Sequence, residues 1–520
     1  MADNTYLLGI DFGTESVRAA IFDMTGRPVS FAATAYRTTH PHPGWAEQDP
    51  EEWWEALQAS CHKVIAASGV SPAAIKGISY DATTMTVVAM DKRGEALRPA
   101  IMWMDVRATE QAARAEKSDS VARLYNGRGT APATAEWYPF KAAWLRENER
   151  ETYDAAFRLV DAPDWVTYKL TGEWTTNINS AALRMYYNRD HGGWPVDFYE
   201  TIGCGDVFDK IPEKVVDLGT PVGELSVIAA QLLGLHPGTP VAQGPADAWA
   251  GQIGLGVVDP GVMALITGSS HVLTGQTDKP IHGKGFFGAY TDGVVKGQYT
   301  VEGGQVSTGS VLKWFKDNFA RDLIQAAEVT GLNVYDILNK QSKDLPPGSE
   351  GLIINEYFQG NRTPYTDSKA RGVIWGLSLH HGTAHIYRAI QESVCYGTAH
   401  NLRAMSAAGF EVKKIVAAGG ATKSRDWMQM HADVTGVPIA LTEVGDAVVL
   451  GSCMLAAVGA GLHPDLGTAA KEMVHEIDLL EPDQRRHEEY RYFVDAYANT
   501  YPQLQPMIHD MVDRENAKRG

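Results

Sequence analysis

Apolar residues in this chain fall in many short runs rather than a few long ones. Tyr6-Leu-Leu-Gly-Ile10 and Val17-Arg-Ala-Ala-Ile-Phe22 are of strand length and flank Asp11-Phe-Gly-Thr-Glu-Ser16, with Asp23-Met-Thr-Gly26 as the next turn. That pattern predicts a β-hairpin with a Gly/Thr/Ser loop. The second half opens the same way: the apolar run Gly261–Thr267, the small polar turn Gly268-Ser-Ser270, and a return strand from Val272 to Gly275. Two such hairpins, each opening one half, predict a duplicated architecture, because the pair is far rarer by chance than either member.

Between the hairpins, Asp49–Ser68 reads as a helix, with Pro50 in its first turn and acids at its start. Ile75–Ser79 and Thr86–Met90 read as strands around Asp81-Ala-Thr-Thr84, and Lys141–Asn148 and Asp164–Leu170 as helices. Trp194–Leu233 lacks a clear period and reads as loop, short helix and turn. Later, Val306–Phe319 and Thr383–Met405 are predicted helices, the second with Ile386, Ala389, Ile390 and Val394 on one stripe. Strand Lys414–Ala417 runs through Gly419-Gly420 into a helix from Arg425; strand Val437–Leu441 and helix Ala447–Leu462 follow. The charged end, Asp483–Gly520, predicts solvated closing helices. Strands alternating with helices indicate an α/β fold with mostly buried sheets. At 520 residues the chain is long enough for two large domains, set here at 1–253 and 254–520, with a cleft between them.

Composition narrows the partners. A net charge of −17 argues against nucleic acid or an anionic membrane. Cys61, Cys204, Cys395 and Cys453 have no paired spacing, so neither a disulfide framework nor a zinc site is indicated. The Met-Ala-Asp-Asn start has no signal pattern, and no apolar run is long enough to span a bilayer. A cytoplasmic protein is expected, acting on a small molecule, with a homodimer admitted.

The candidate chemistry lies in the loops. A Gly/Thr/Ser turn offers amides and hydroxyls to phosphate oxygens, and Asp11 can hold a divalent cation through a water; the plain alternative is a polar hairpin turn. Asp247, near mid-chain, stands among small residues after the Gly244-Pro245 breaker, where a helix would start. There it is either an ordinary N-cap or a carboxylate placed for close approach of a substrate. Gly419-Gly420 before Ser424 would let a nucleotide approach the backbone, or is only a tight turn. Taken together, two phosphate-type loops, a glycine turn and a mid-chain aspartate suggest ATP held in a cleft.

These stretches resemble the FGGY carbohydrate kinases, on the actin/sugar-kinase/Hsp70-like ATPase fold. The likeness runs along nearly the whole chain: Asp11–Arg18, Gly44–Pro50 with Trp53-Trp54, Trp103-Met-Asp-Val-Arg107, Lys141-Ala-Ala-Trp-Leu145, and Gly372–Leu377 running on to His385–Glu392. Ala142, Gln391 and Ala418 depart from the family pattern, and none of the three removes a catalytic group. The resemblance implies Asp247 as general base for the attacking hydroxyl, and Asp11 with Asp247 at magnesium. It implies contacts to ATP from Gly13, Thr14, Arg18, Thr267, Gly268, Ser269, Gly309, Lys313, Gly419, Gly420 and Ser424. For the sugar it implies Asp81, Thr83, Thr84, Trp103, Glu136, Arg184 and Glu302. These roles match what phosphoryl transfer requires, which is positioning and charge neutralisation.

Each residue also has a plainer reading: Arg18 as a solvated strand residue, Glu136 as a helix N-terminal acid, Trp103 as core packing. Glu302, followed by Gly303-Gly304, suits a pocket wall because the backbone there is free. Asp81-Ala-Thr83 and Glu136-Trp137 resemble the ribulokinase-type branch, with Arg184 where many of those have Lys. A ketopentose of ribulose type is therefore expected, with a pentitol or tetritol, or xylulose, as the alternative. The same fold serves chaperone ATPases and sugar-sensing repressors, but the appended peptide-binding or basic DNA-binding module they would need is not evident.

Overall fold

A computed structural model describes residues 5–125, 127–129 and 133–518. The Met-Ala-Asp-Asn start and the last two residues of the expected closing segment lie outside the described residues.

Two mixed sheets carry the fold. The first runs in the order Pro221–Glu224, Pro240–Ala242, Ile75–Ala82, Tyr6–Phe12, Ser16–Asp23, Pro28–Ala35. The second runs Phe287–Thr291, Tyr299–Gln305, His271–Thr277, Val262–Thr267, Lys414–Gly419, Ile439–Thr442, Glu476–Leu480. Within each, five strands repeat one scheme. The hairpin's first strand pairs antiparallel with its second, which pairs antiparallel with a third; on its other side two parallel strands follow. The duplication expected from the two hairpins is present in the strand order itself.

Successive residues of the first strand face opposite layers, as the period of two requires. Leu8 and Ile10 pack with Trp53, Leu57 and Val64 of helix Pro50–Ser68. Leu7 faces the other way, among Val449 and Cys453 of helix Ala447–Gly459. Both faces are buried, which explains why the strand reads as a continuous apolar run. Asp49 caps the first helix by accepting from the Glu51 N–H at 3.0 Å.

Helix Ala447–Gly459, from the second half, lies on the first sheet and crosses helix Asp247–Gly254 from the first half. The crossing is made without side chains. A Cβ on Gly254 would stand 1.8 Å from Ala447 O, and one on Gly451 would stand 1.9 Å from Ala250 O. Gly9 and Gly77 let the same helix descend onto the sheet, each leaving only 2.6 Å between a would-be Cβ and a helix carbonyl.

Several elements differ from the expectation. Trp194–Leu233 contains a strand of the main sheet, Pro221–Glu224, as well as helices Val196–Thr201 and Val227–Leu233. That strand is an edge with a register shift between Pro221 and Gly223, so it carries no alternation to read. The closing segment is one helix, Gln484–Ala517, and is not merely solvated. Tyr490, Val494, Tyr497 and Tyr501 form a buried stripe on it and join the second core. Among the described residues no helix is long and apolar enough to cross a membrane.

Gly451→Ala is expected to cost about 3 kcal/mol, because a methyl group must separate two backbones already in contact. Chemical denaturation of the variant beside an exposed Gly382→Ala control, where a Cβ would meet nothing within 4 Å, checks this; equal midpoints would exclude a tight crossing.

Candidate active site

The loop ends of both sheets and the starts of the two crossing helices meet at one place. Asp11 lies on the first strand, between Arg18 on its antiparallel neighbour and Asp81 on its parallel neighbour, in register with both. Arg18 forms an ion pair with Asp11 and a second one, at 2.7 Å, with Asp446, the residue before helix Ala447–Gly459. Asp81 is wholly buried, accepts from Ser452 Oγ of that helix at 2.6 Å, and sits behind Asp11 rather than in the cavity wall. Of the residues expected at the sugar, Asp81 thus stands beside Asp11 and not among those lining the cavity.

Asp247 opens its helix, and its own carboxylate accepts from the Ala248 N–H at 2.7 Å. Asn179 fixes the approach: its Oδ1 accepts from the Ala246 N–H at 3.1 Å, while its Nδ2 donates to Gly293 O of the other half at 2.8 Å. Burial, then the charge of Asp11, pushes Asp247 up to about 7. Burial also raises Asp11, against the pull of Arg18, and raises Asp81 well above the ordinary range, with Asp11 adding to it. Asp11 Oδ1 is buried without a hydrogen-bond partner, and the charge of Asp11 is felt by Asp247; carboxylate oxygens are the donors a hard divalent cation takes.

Beside them a cavity of about 310 Å³ opens between the halves. From the first half Thr14, Thr83, Thr84, Trp103, Glu136 and Arg184 line it, with Asp247 on its floor; all were expected at the site. Trp103 Nε1 donates to Thr14 Oγ1 at 3.1 Å, joining sugar-side and phosphate-side loops. Of Trp103-Met-Asp-Val-Arg107 only Trp103 reaches the cavity. Asp105 and Arg107 are buried and paired at 2.7 Å, holding the loop in place. Lys141 is buried beneath and donates to the carbonyls of Met85, Met102 and Trp103 at 2.8, 2.6 and 3.2 Å.

The second half supplies Ser270, Phe287, Glu302 and Arg362. Glu302 sits inside strand Tyr299–Gln305, not in a free glycine loop as expected. Gly304 is there because a Cβ would stand 2.4 Å from His271 O across the sheet. Arg184 Nη2 meets Glu302 Oε2 at 2.6 Å, both nearly buried, so one ion pair spans the two halves. The Arg184 guanidinium also lies 5.0 Å from the Trp249 ring centroid and 5.7 Å from that of Trp137. Trp249, Phe287, Arg362 and Asn179 were not legible as site residues. The first two look like core, and the last two have no pattern around them.

The residues expected at ATP lie on the two hairpins, on helix Gly309–Phe319 and on the turn from Gly419 to Ser424. Gly13 closes the first turn through its N–H to Ser16 O at 3.1 Å. In the second hairpin the Gly268 N–H bonds Ser270 O at 2.9 Å, and Gly268 and Ser269 are exposed. Gly309 docks against it so closely that a Cβ would be 2.4 Å from Gly268 O. Gly419 has φ +96° and would place a Cβ 1.9 Å from Thr267 O, so this turn admits only glycine. Gly420 is open, and Ser424 caps helix Arg425–Thr435. Lys313 is exposed and tied to Asp317 at 2.5 Å, one turn along its own helix.

A repeated five-strand scheme with a cleft between its copies is that of the actin/sugar-kinase/Hsp70-like ATPase fold, and the cavity suits a small polar molecule. Residues 6–254 match the N-terminal domain of the FGGY family of carbohydrate kinases and residues 263–460 its C-terminal domain; the chain belongs to this family. It is 31% identical, over 95% of each sequence, to an FGGY carbohydrate kinase domain-containing protein of Xenopus laevis. A ribulokinase of Anoxybacillus flavithermus is 30% identical over 88% of this chain and 86% of its own. A xylulose kinase of Staphylococcus epidermidis is 27% identical over 98% and 99%. The crystal structure of xylulose kinase from Rhodospirillum rubrum superposes with a TM-score of 0.86 at 26% identity, covering 97% of this chain and 100% of that one. The chain is a sugar kinase.

Arg184→Met leaves Glu302 unpaired in a nearly dry wall and is expected to cost about 3–5 kcal/mol. Adding Glu302→Gln is expected to recover part of that loss, measured by urea unfolding of both variants. Additive losses in the double variant would mean that the two side chains do not act as a pair.

Proposed function

We propose that this kinase transfers the γ-phosphoryl group of ATP to a hydroxyl of a ketopentose of ribulose type. The observation that carries the reading is Asp247 at a helix start on the cavity floor, raised to about 7 and flanked by two amide-rich hairpin loops. Asp247 accepts the proton of the attacking hydroxyl. Trp103, Thr83, Thr84, Glu136 and Arg184 orient the sugar from the first half, and Glu302, paired with Arg184, does so from the second. The loops at 13–18 and 267–269, with Gly309, hold phosphate oxygens, and Gly419, Gly420 and Ser424 hold the adenosine. Asp11 with Asp247 would hold magnesium, which supplies charge neutralisation on the phosphate oxygens when bound. In this reading the chain divides at 253/254, the sugar bound mainly by the first half and the nucleotide by the second.

Ribulose is favoured because Asp81-Ala-Thr83 and Glu136-Trp137 follow the ribulokinase-type pattern and a ribulokinase stands among the 30% relatives. Xylulose is the second reading, supported by the full-length likeness to xylulose kinases.

Asp247→Asn keeps the shape but cannot take the proton. Turnover is expected to fall about a hundred- to ten-thousand-fold while ATP binding stays close to wild type. Near-normal turnover would remove Asp247 as base. Since the base must be unprotonated, kcat/KM is expected to drop about tenfold per pH unit once pH falls below about 7, the value its surroundings set. A flat profile down to pH 5 would contradict the assignment. A panel of ribulose, xylulose, ribitol and erythritol in an ATP-consumption assay decides the substrate.

A further inference from the structure

Arg362 sits in no motif, on a polar loop of the second half, yet it lines the sugar-sized cavity. Its backbone is pinned. Thr363 N–H donates to Gly304 O at 3.3 Å, and Gly304 N–H donates to Thr363 Oγ1 at 3.3 Å. The Arg362 carbonyl accepts from Thr366 N–H at 2.9 Å and from its hydroxyl at 3.0 Å. The residue is thus fixed beside the strand that carries Glu302. Its guanidinium has no ion pair or hydrogen bond to any described residue.

The other charged groups of the wall differ. Arg184 and Glu302 satisfy each other at 2.6 Å. Glu136 has only the Thr134 hydroxyl, at 3.4 Å. Apart from the base, then, the wall holds one unmatched carboxylate and one unmatched guanidinium, on opposite halves of the molecule. A ligand filling a cavity also walled by Trp103, Trp137, Trp249 and Phe287 takes water from that guanidinium and must supply acceptors in its place.

We propose that Arg362 is a specificity-determining substrate contact, donating its planar fork to two adjacent oxygens of a neutral polyhydroxy substrate whose other hydroxyls donate to Glu136. This rests on the sugar-kinase reading of the cavity and adds the second half's own share in sugar choice. Glu136 with Arg362 and Arg184 with Glu302 cancel, and ionised Asp247 leaves the wall with one negative charge, which favours a neutral sugar over a sugar acid. A fork suits neighbouring oxygens in a way that a point charge does not.

The test is calorimetric binding of ribulose, xylulose, ribitol and ribonate to the intact chain with a non-hydrolysable ATP analogue, for wild type, Arg362→Met and Arg362→Lys. Arg362→Met is expected to weaken binding of the preferred sugar about 10- to 100-fold, as for loss of a charged hydrogen bond, and Arg362→Lys to recover part. Nucleotide affinity measured alone is expected to stay within about twofold. Unchanged sugar affinity in Arg362→Met overturns the proposal and leaves the sugar-kinase reading standing. Tighter wild-type binding of ribonate than of every neutral sugar overturns it by assigning the guanidinium to a carboxylate. Failure of the wild type to bind any of the four overturns both.

Discussion

Two helices from opposite halves of the chain touch backbone to backbone at Gly254 and Gly451, and the cleft is organised by that contact. One helix begins with Asp247; the other begins just after Asp446 and carries Ser452 a turn and a half on. Because the two cross so closely, their starts and the loop ends of strands Tyr6–Phe12, Ser16–Asp23 and Ile75–Ala82 converge. Ser452 reaches Asp81, Asp446 reaches Arg18, and Arg18 reaches Asp11. A side chain at either glycine would move both helix starts, and with them every charged group of the centre. Helix starts present unsatisfied N–H groups and positive dipole ends, which stabilise carboxylates and phosphates there.

The electrostatic consequence is a centre that is short of positive charge. Asp11, Asp81 and Asp247 are each raised chiefly by burial, and the charge of Asp11 adds to the other two. Arg18 offsets part of this but is shared with Asp446. Such a cluster costs stability unless a cation or a proton joins it, a cost that functional centres tolerate and cores do not. The same burial places Asp247 where a general base is most effective, near neutral pH.

How much of this was legible follows from what each residue has to satisfy. The hairpins were readable because both faces of their strands are buried, which turns them into apolar runs bounded by glycine. Asp247 was readable because a Gly-Pro breaker precedes it. The strand holding Glu302 was hidden by Gly303 and Gly304, which are present for close packing across the sheet rather than for freedom. The strand Pro221–Glu224 lies at an edge, where alternation carries no penalty when broken. The stripe of Tyr490, Val494, Tyr497 and Tyr501 was present in the sequence, but the charges around it outweighed it in the reading. That Asp81 stands beside Asp11 and outside the cavity lining is not legible locally, because parallel register is a property of pairing, not of local pattern. Asn179 and Arg362 act through partners more than a hundred residues away, or through none, and nothing near them in sequence marks this.

The division between what is shared and what is particular runs through the same geometry. In the proposed reading the glycine crossing, the hairpins and the carboxylates serve phosphoryl transfer, which is alike for any hydroxyl acceptor. The cavity walls are another matter. They are set by side chains on loops, helices and strands of both halves, and the Arg184–Glu302 pair joins one half to the other. Recognition in this cavity is thereby tied to the relative placement of the halves: under the proposed roles, a sugar that fits both walls holds the cleft in the arrangement that also aligns Asp247 with the phosphate loops. A sugar that satisfies one wall alone leaves the other's charges partly bare, and a half-satisfied polar wall is costlier than one left to water. Discrimination between two ligands of this cavity then follows from how completely each satisfies both walls together.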